Sequence, residues 1–324
     1  MEKIKIWGKT IPFNSEADKF SDRVELWDGD KLWGEMQKYF AKGDDPNRDP
    51  DIRRQVIEQD EIGRYGASRQ YMDEPYLIPF LKEGADSAVI IVPGGAYVMK
   101  SMEHEGTEVA ELLNEEGISA FVLWYRTYPY MYPTAYLDVQ RAIRYVRFHA
   151  GDLGIDPKKI AVMGFSAGGN AVAGAVNILK DLPVIYPGYE PDEVDFTSAK
   201  PAALALNYPA LEVSRDPQAL HMLSGKESYD NAKEEEAWIR RLDISQYLSG
   251  DGIPYFFSYG TLDTVVLPEG TKAFAEKLQT LGNPVKLLVI EGADHGYGSC
   301  VNPHRDAEFL AAGWHKTFAE WFLA

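Results

Sequence analysis

AVMGFSAGGNAVAG, residues 161–174, sets a single serine between two glycines, after an apolar run and before a stretch of small residues. The run KIAVMG (159–164) reads as a buried strand, and the small residues read as the start of a helix. Ser166 therefore falls at a strand-to-helix turn in the pattern G-x-S-x-G. A sharp elbow forces the serine into a strained backbone conformation, and this exposes its hydroxyl. Side chains two residues to either side would collide, so glycine is needed at 164 and 168. Gly169, Ala171, Ala173, Gly174 and Ala175 let the following helix approach the sheet closely. The helix N-terminus offers free N–H groups and the positive end of its dipole beside the serine. The competing reading, a helix N-cap serine with glycines for packing, is the weaker one because strand and helix flank the motif as a nucleophile requires.

Outward from the serine, apolar runs alternate with helical stretches. The expected strands are SAVIIVP (87–93), SAFVLWY (119–125), KIAVMG (159–164), AALALNYP (202–209), PYFFSYG (254–260) and VKLLVIEG (285–292). They lack in/out alternation, which suits parallel strands covered on both faces. In TAYLDVQRAIRYVRFHA, Val139, Ala142, Ile143 and Val146 fall on one helical stripe. TEVAELLNEEG ends at Gly117, a good helix stop. The alternation predicts an α/β fold with a mainly parallel central sheet and helices on both faces. Residues 210–252 interrupt the rhythm and read as an insertion over the sheet edge, a cap. Residues 1–73 read as a variable N-terminal extension. The whole chain, 1–324, is read as one domain, and lid motion is assigned to 28–73 or 210–252.

A serine hydroxyl is a poor nucleophile at neutral pH and needs a base, which in turn needs an orienting acid. In a fold of this kind the order along the chain is serine, acid, histidine. His104 and His149 precede the serine, and His221 lies in the insertion. His315 sits in a terminal amphipathic helix, AEFLAAGWHKTFAEWFLA, as a surface or packing residue, and His304 follows a proline on the approach to it. His295 remains, in the glycine-rich loop EGADHGYG just after a strand. The acid should follow the preceding strand, and PYFFSYGTLDTVVLP puts Asp263 there. Its carboxylate can accept from one imidazole nitrogen and fix the useful tautomer. Asp294 adjoins the histidine too closely for easy pairing, and Glu291 is a further rival.

Acyl transfer also needs donors aimed at the developing oxyanion. The backbone N–H of Ala167 is one. Others are expected from Pro93-Gly94-Gly95-Ala96-Tyr97, in the loop after the first strong strand, where glycines bring N–H groups close to a substrate.

Composition bounds the rest. The chain has 324 residues, 45% of them hydrophobic, and a formal charge of −17. That length supplies one large core, and the charge repels nucleic acid and anionic membranes. The one cysteine, Cys300, excludes an intrachain disulfide and reads as a small buried residue. MEKIKIWGKTIPF lacks a signal-peptide core, and no run reaches the roughly 18 apolar residues of a membrane span. A cytoplasmic protein is the expectation.

Several motifs in order, DEPYLIPFL, VIIVPGGAY, SMEHEGTEVAELLNEEGISAFVLWYR, YPTAYLDVQRAIRYVR, GFSAGG, TLDTVV and DHGYG, resemble the α/β-hydrolase superfamily. The resemblance covers residues 74–322 and is closer to its esterase/lipase branch, with hormone-sensitive-lipase-like and acetyl-xylan-esterase-like enzymes. The family's oxyanion loop often reads His-Gly-Gly-Gly; here Pro93 replaces the histidine, as in carbohydrate-esterase members, and Ala96 the third glycine. The resemblance implies the α/β-hydrolase fold, catalysis by Ser166, Asp263 and His295, and oxyanion donors at Gly95, Ala96 and Ala167. It implies a serine carboxylesterase for short-chain acyl esters, including O-acetyl groups on sugars or xylo-oligosaccharides, with no metal or organic cofactor. The partner is a small-molecule ester, not nucleic acid or membrane. Trp27, Trp33, Tyr97, Tyr128, Tyr130 and Tyr132 are candidates for sugar stacking, against a core role for most. The alternatives are a peptidase, formamidase or thioesterase on the same triad, or a small-ligand-binding protein without turnover.

Overall fold

The computed structural model describes residues 3–14, 67–68, 74–97, 99–127, 130–215, 217–224, 231–301 and 310–324. Trp27, Trp33, Tyr128, His304 and most of 28–73 lie outside the described residues. Among the described residues, eight strands make one sheet: β1 (Ile4–Lys5), β3 (Tyr76–Phe80), β4 (Ala88–Val92), β6 (Ser119–Trp124), β7 (Ile160–Phe165), β8 (Leu204–Asn207), β9 (Tyr255–Gly260) and β10 (Val285–Ile290). Their spatial order is β1-β3-β6-β4-β7-β8-β9-β10, while β2 (Ala67–Ser68) and β5 (Lys100–Ser101) pair apart as a short antiparallel ribbon. From β6 to β10 every pairing is parallel. All six apolar runs of the sequence are therefore strands.

Their unbroken apolar character has a simple cause. Ala88, Ile90 and Val92 of β4 face one apolar core, and Val89 and Ile91 face a second. Successive side chains of a strand point to opposite faces, so a strand buried on both sides carries apolar residues throughout. The first core is closed by helix α2 (Thr134–Phe148), the elbow helix α3 (Ser166–Gly174) and α6 (Pro268–Thr280). The second is closed by α1 (Glu108–Glu115) and α7 (Trp314–Leu323). Gly117 ends the α1 segment with φ +83°, where its N–H and that of Ile118 close onto Asn114 and Leu113 carbonyls.

Three features depart from the sequence reading. β10 is half exposed, because it is the sheet's outer strand. The terminal helix starts only at Trp314, since Gly313 stands before it in the left-handed region at φ +83°. His315 on that helix is a packing residue, 6% exposed, and burial pushes its imidazole pKa down. The antiparallel strands β1 and β3 went unrecognised. Pro79 interrupts β3, and it is tolerated because β1 covers only Tyr76 and Leu77 on that side.

The insertion carries α4 (Pro217–Ser224) and α5 (Ala232–Leu242). Leu220, Met222, Leu223 and Leu242 join the first core. Tyr132 takes the Leu223 carbonyl through its backbone N–H, and its ring meets Trp238 edge-on at 5.9 Å. The Arg241 guanidinium stands 4.8 Å from both ring centroids. The N-terminal strap is tied down from below: Trp7 Nε1 donates to Asp138, whose carboxylate also receives the Arg126 guanidinium, and Arg126 donates on to the Pro12 carbonyl. Among the described residues no helix is long and apolar enough to cross a membrane.

Candidate active site

Ser166 is the first residue of α3 and has φ +48°, a left-handed conformation that a serine adopts only under constraint. Phe165 is the helix N-cap, so the serine side chain is not spent on capping. The elbow is enforced by crowding. A Cβ on Gly168 would lie 2.1 Å from the Val92 carbonyl oxygen, and one on Gly164 would lie 2.5 Å from the Gly168 oxygen.

His295 comes from the loop after β10 and stands partly open to solvent. Its Nε2 is 2.9 Å from Ser166 Oγ, and its Nδ1 is 2.8 Å from Asp263 Oδ2. Asp263 is 4% exposed, and its other oxygen accepts the N–H groups of Val265 and Val266 at 3.0 and 2.8 Å. The carboxylate is thus clamped before it meets the imidazole. The carboxylate on His295 Nδ1 is that of Asp263, while Asp294 Oδ1 accepts the backbone N–H of His295. Glu291 is exposed. Of the six histidines, the structure brings only His295 into hydrogen-bonding distance of Ser166 among the described residues.

The loop after β4 lies against the serine: a Cβ on Gly94 would come within 2.9 Å of Ser166 Cβ. Its carbonyls are drawn back into the protein. Tyr125 Oη donates to Pro93 O, Ser101 N–H to Gly94 O, and Met99 N–H to Gly95 O. The Gly94 N–H goes to Glu105 Oε2 at 2.7 Å. Among the described residues no acceptor takes the N–H of Gly95 or Ala96. Three successive residues, Gly95, Ala96 and Tyr97, have positive φ (131°, 53° and 60°), which makes the loop a concave run of donors. Ala167, second in α3, has no intrahelical acceptor for its N–H. A serine hydroxyl, an imidazole, an anchored carboxylate and spare N–H donors stand together, an arrangement chemically capable of acyl transfer.

Three polar residues that shape this site were not picked out from the sequence. Asn170 is fully buried and accepts the hydroxyls of Tyr97 at 2.6 Å and Tyr136 at 2.7 Å, while its amide donates to Ala210 O at 2.7 Å. Burial pushes the Tyr136 hydroxyl pKa far up, so it stays a donor. A polar side chain amid the small residues GGNAVAG was the available signal. Glu105 and Tyr208 are the other two: Tyr208 Oη donates to Glu105 Oε1 at 2.8 Å, and its ring meets the His295 ring edge-on at 4.8 Å. Tyr97 and Tyr130 are buried, 1% and 4% exposed, so they pack in the core and do not offer a face for stacking. A cleft is lined by Pro209, Leu211, Glu212, Arg215, Val266 and Thr271, and Val266 is a residue whose N–H holds Asp263.

A family model described as the alpha/beta hydrolase fold matches residues 89–299, well over half of the chain. An acetylxylan esterase of Xylanibacter ruminicola is 29% identical over 231 residues, covering 68% of this chain and 43% of that protein. An endo-1,4-beta-xylanase B of Butyrivibrio fibrisolvens is 28% identical over 255 residues, 76% of this chain and 38% of that protein. The chain thus spans less than half the length of these two curated relatives. Among solved structures, an acetyl ester-xyloside bifunctional hydrolase from Caldicellulosiruptor lactoaceticus superposes with a TM-score of 0.67 at 25% identity, covering 99% of this chain and 95% of that one.

Proposed function

The chain belongs to the α/β-hydrolase family, and we propose that within it the protein is a serine carboxylesterase acting through Ser166, His295 and Asp263. The observation that carries this is the unbroken hydrogen-bonded line from Ser166 Oγ through His295 to Asp263 Oδ2, at 2.9 and 2.8 Å. Ser166 Oγ attacks the ester carbonyl while His295 Nε2 takes its proton. The resulting oxyanion is held by the N–H groups of Gly95, Ala96 and Ala167. The intermediate collapses, and His295 returns the proton to the departing alcohol. Water then attacks the acyl-enzyme with His295 again as base, releasing the acid and restoring the serine. Asp263 holds the imidazole tautomer with the proton on Nδ1, so that Nε2 faces the serine as an acceptor.

The substrate proposed is a short-chain acyl ester, with acetyl groups on sugars or xylo-oligosaccharides foremost. Two relatives named for acetylated xylan or xylosides support it. So does Ala96, whose methyl stands where glycine is usual and leaves less room beside the acyl group. In this reading 1–324 form one domain, with 210–252 as its cap and 1–73 as a variable extension. The test is a p-nitrophenyl ester series from acetate to octanoate, followed by acetate release from acetylated xylo-oligosaccharides. Rates should fall steeply beyond propionate, and acetate should be released from the oligosaccharides. A preference for octanoate would discard the sugar-ester reading.

A further inference from the structure

Glu105 stands in a wide, π-helical turn (Glu103–Thr107) ahead of α1, outside the triad and outside the oxyanion loop. It is 4% exposed, and among the described residues it has no ion-pair partner. A buried carboxyl is costly unless its oxygens are hydrogen-bonded, and both of these are. Oε2 accepts the Gly94 N–H at 2.7 Å, and Oε1 accepts the Tyr208 hydroxyl at 2.8 Å. The two donors belong to different parts of the site. Gly94 opens the oxyanion loop and sits between Glu105 and Ser166: a Cβ there would be 2.9 Å from Glu105 Oε2 and 2.9 Å from Ser166 Cβ. Tyr208 lies under the base. Its ring packs on His295, and its oxygen accepts the Gly298 N–H at 3.0 Å, three residues beyond that histidine. Burial pushes the Tyr208 hydroxyl pKa well above its ordinary value, so the proton stays and points to Glu105.

We propose that Glu105 and Tyr208 are positioning residues that fix the oxyanion loop against the loop carrying His295. The line runs Gly94 N–H to Glu105, Tyr208 hydroxyl to Glu105, and Gly298 N–H to Tyr208. It sets the distance between the donors that receive the oxyanion and the base that moves the proton. An error near 1 Å between such groups costs about 100-fold in rate, and here two buried side chains in series, Glu105 and Tyr208, join the Gly94 peptide to the Gly298 peptide of the base loop. The same π-helical turn seats the base loop a second time, through His104 Nε2 on Gly296 O at 2.9 Å and Ser299 N–H on His104 O. Loss of Glu105 therefore leaves that loop in place and frees mainly its register against Gly94.

This inference rests on the esterase reading, and the experiment separates the two. Wild type, Glu105→Gln, Tyr208→Phe and the double variant are assayed with p-nitrophenyl acetate, with active sites counted by exhaustive fluorophosphonate titration. Each single variant should lose roughly 10- to 100-fold in kcat per titrated site, with KM within about 3-fold. A trifluoromethyl ketone inhibitor should weaken in proportion to kcat/KM, and the double variant should be little worse than the worse single. An unchanged kcat per titrated site, with only fewer sites surviving, would assign both residues to folding alone and overturn the proposal. Should Glu105→Gln not fold, the Tyr208→Phe values decide on the same criterion. A wild-type protein without Ser166-dependent turnover would instead remove the esterase reading and the proposal with it.

Discussion

His295 Nε2 lies 2.9 Å from Ser166 Oγ although 129 positions of chain separate the two residues. The contact is made by the sheet. Ser166 caps the C-terminal end of central strand β7, and His295 leaves the C-terminal end of outer strand β10. Parallel strands bring those ends to one side, and Asp263 reaches the same side from the end of β9.

Asp263→Asn keeps the size of the side chain and reverses the polarity of the group facing Nδ1. The amide can offer a donor to Nδ1, which leaves the other imidazole nitrogen protonated and unable to accept from Ser166. Turnover of p-nitrophenyl acetate should fall about 10⁴-fold with the fold intact. A loss below tenfold would mean that another group orients the imidazole.

Asn170→Ala removes the partner of three buried groups at once: the hydroxyls of Tyr97 and Tyr136 and the Ala210 carbonyl. Each group left unsatisfied costs about 1–3 kcal/mol. Urea unfolding should show a loss of several kcal/mol, on the order of the sum of those terms. Tyr97 adjoins Ala96, so kcat should fall as well. Unchanged stability would show that the two hydroxyls find other acceptors.

Lys100 supplies the pH prediction. Its side chain is 1% exposed, with Nζ 3.3 Å from Thr127 Oγ1 and 4.7 Å from the Trp124 ring centroid. Burial lowers its pKa to about 7, partly offset by the charge of Asp138. The unfolded chain holds that proton up to its ordinary value of 10.5, so between about 7 and 10.5 the unfolded state binds more protons. Stability from this group therefore rises with pH across that window, by up to about 1.4 kcal/mol per unit, and its cost is fully present below it. Lys100→Met should stabilise the protein most at about pH 6, and the gain should shrink towards about pH 9.5 in urea unfolding. A gain independent of pH would contradict the assignment.

The sequence was legible where one cause acts locally. Five of the six strands could be read because both faces of each are buried, which leaves runs such as AVIIV uninterrupted, and the half-exposed edge strand β10 could be read because VKLLVI stays mostly apolar. The meeting of Ser166, Asp263 and His295 could be read because strand-end loops and chain order bring a serine, a carboxylate and an imidazole together only from those positions. β1 was illegible because it is two residues long, and β3 because Pro79 breaks a pattern that an almost unpaired outer side tolerates. Glu105 and Asn170 were illegible for a different reason. Their meaning lies in distant partners, Tyr208 at 103 positions and Tyr97 at 73, and nothing in EHEGTEVA or GGNAVAG encodes those pairings.

The most direct test of the central claim compares p-nitrophenyl acetate hydrolysis by the wild-type protein and Ser166→Ala. Alanine lacks the attacking oxygen and leaves the elbow glycines untouched. The account predicts turnover by the wild type and a loss of about 10⁴- to 10⁶-fold in the variant, with an unchanged unfolding midpoint. Comparable turnover in both would contradict it, because the hydrolysis would then not pass through Ser166.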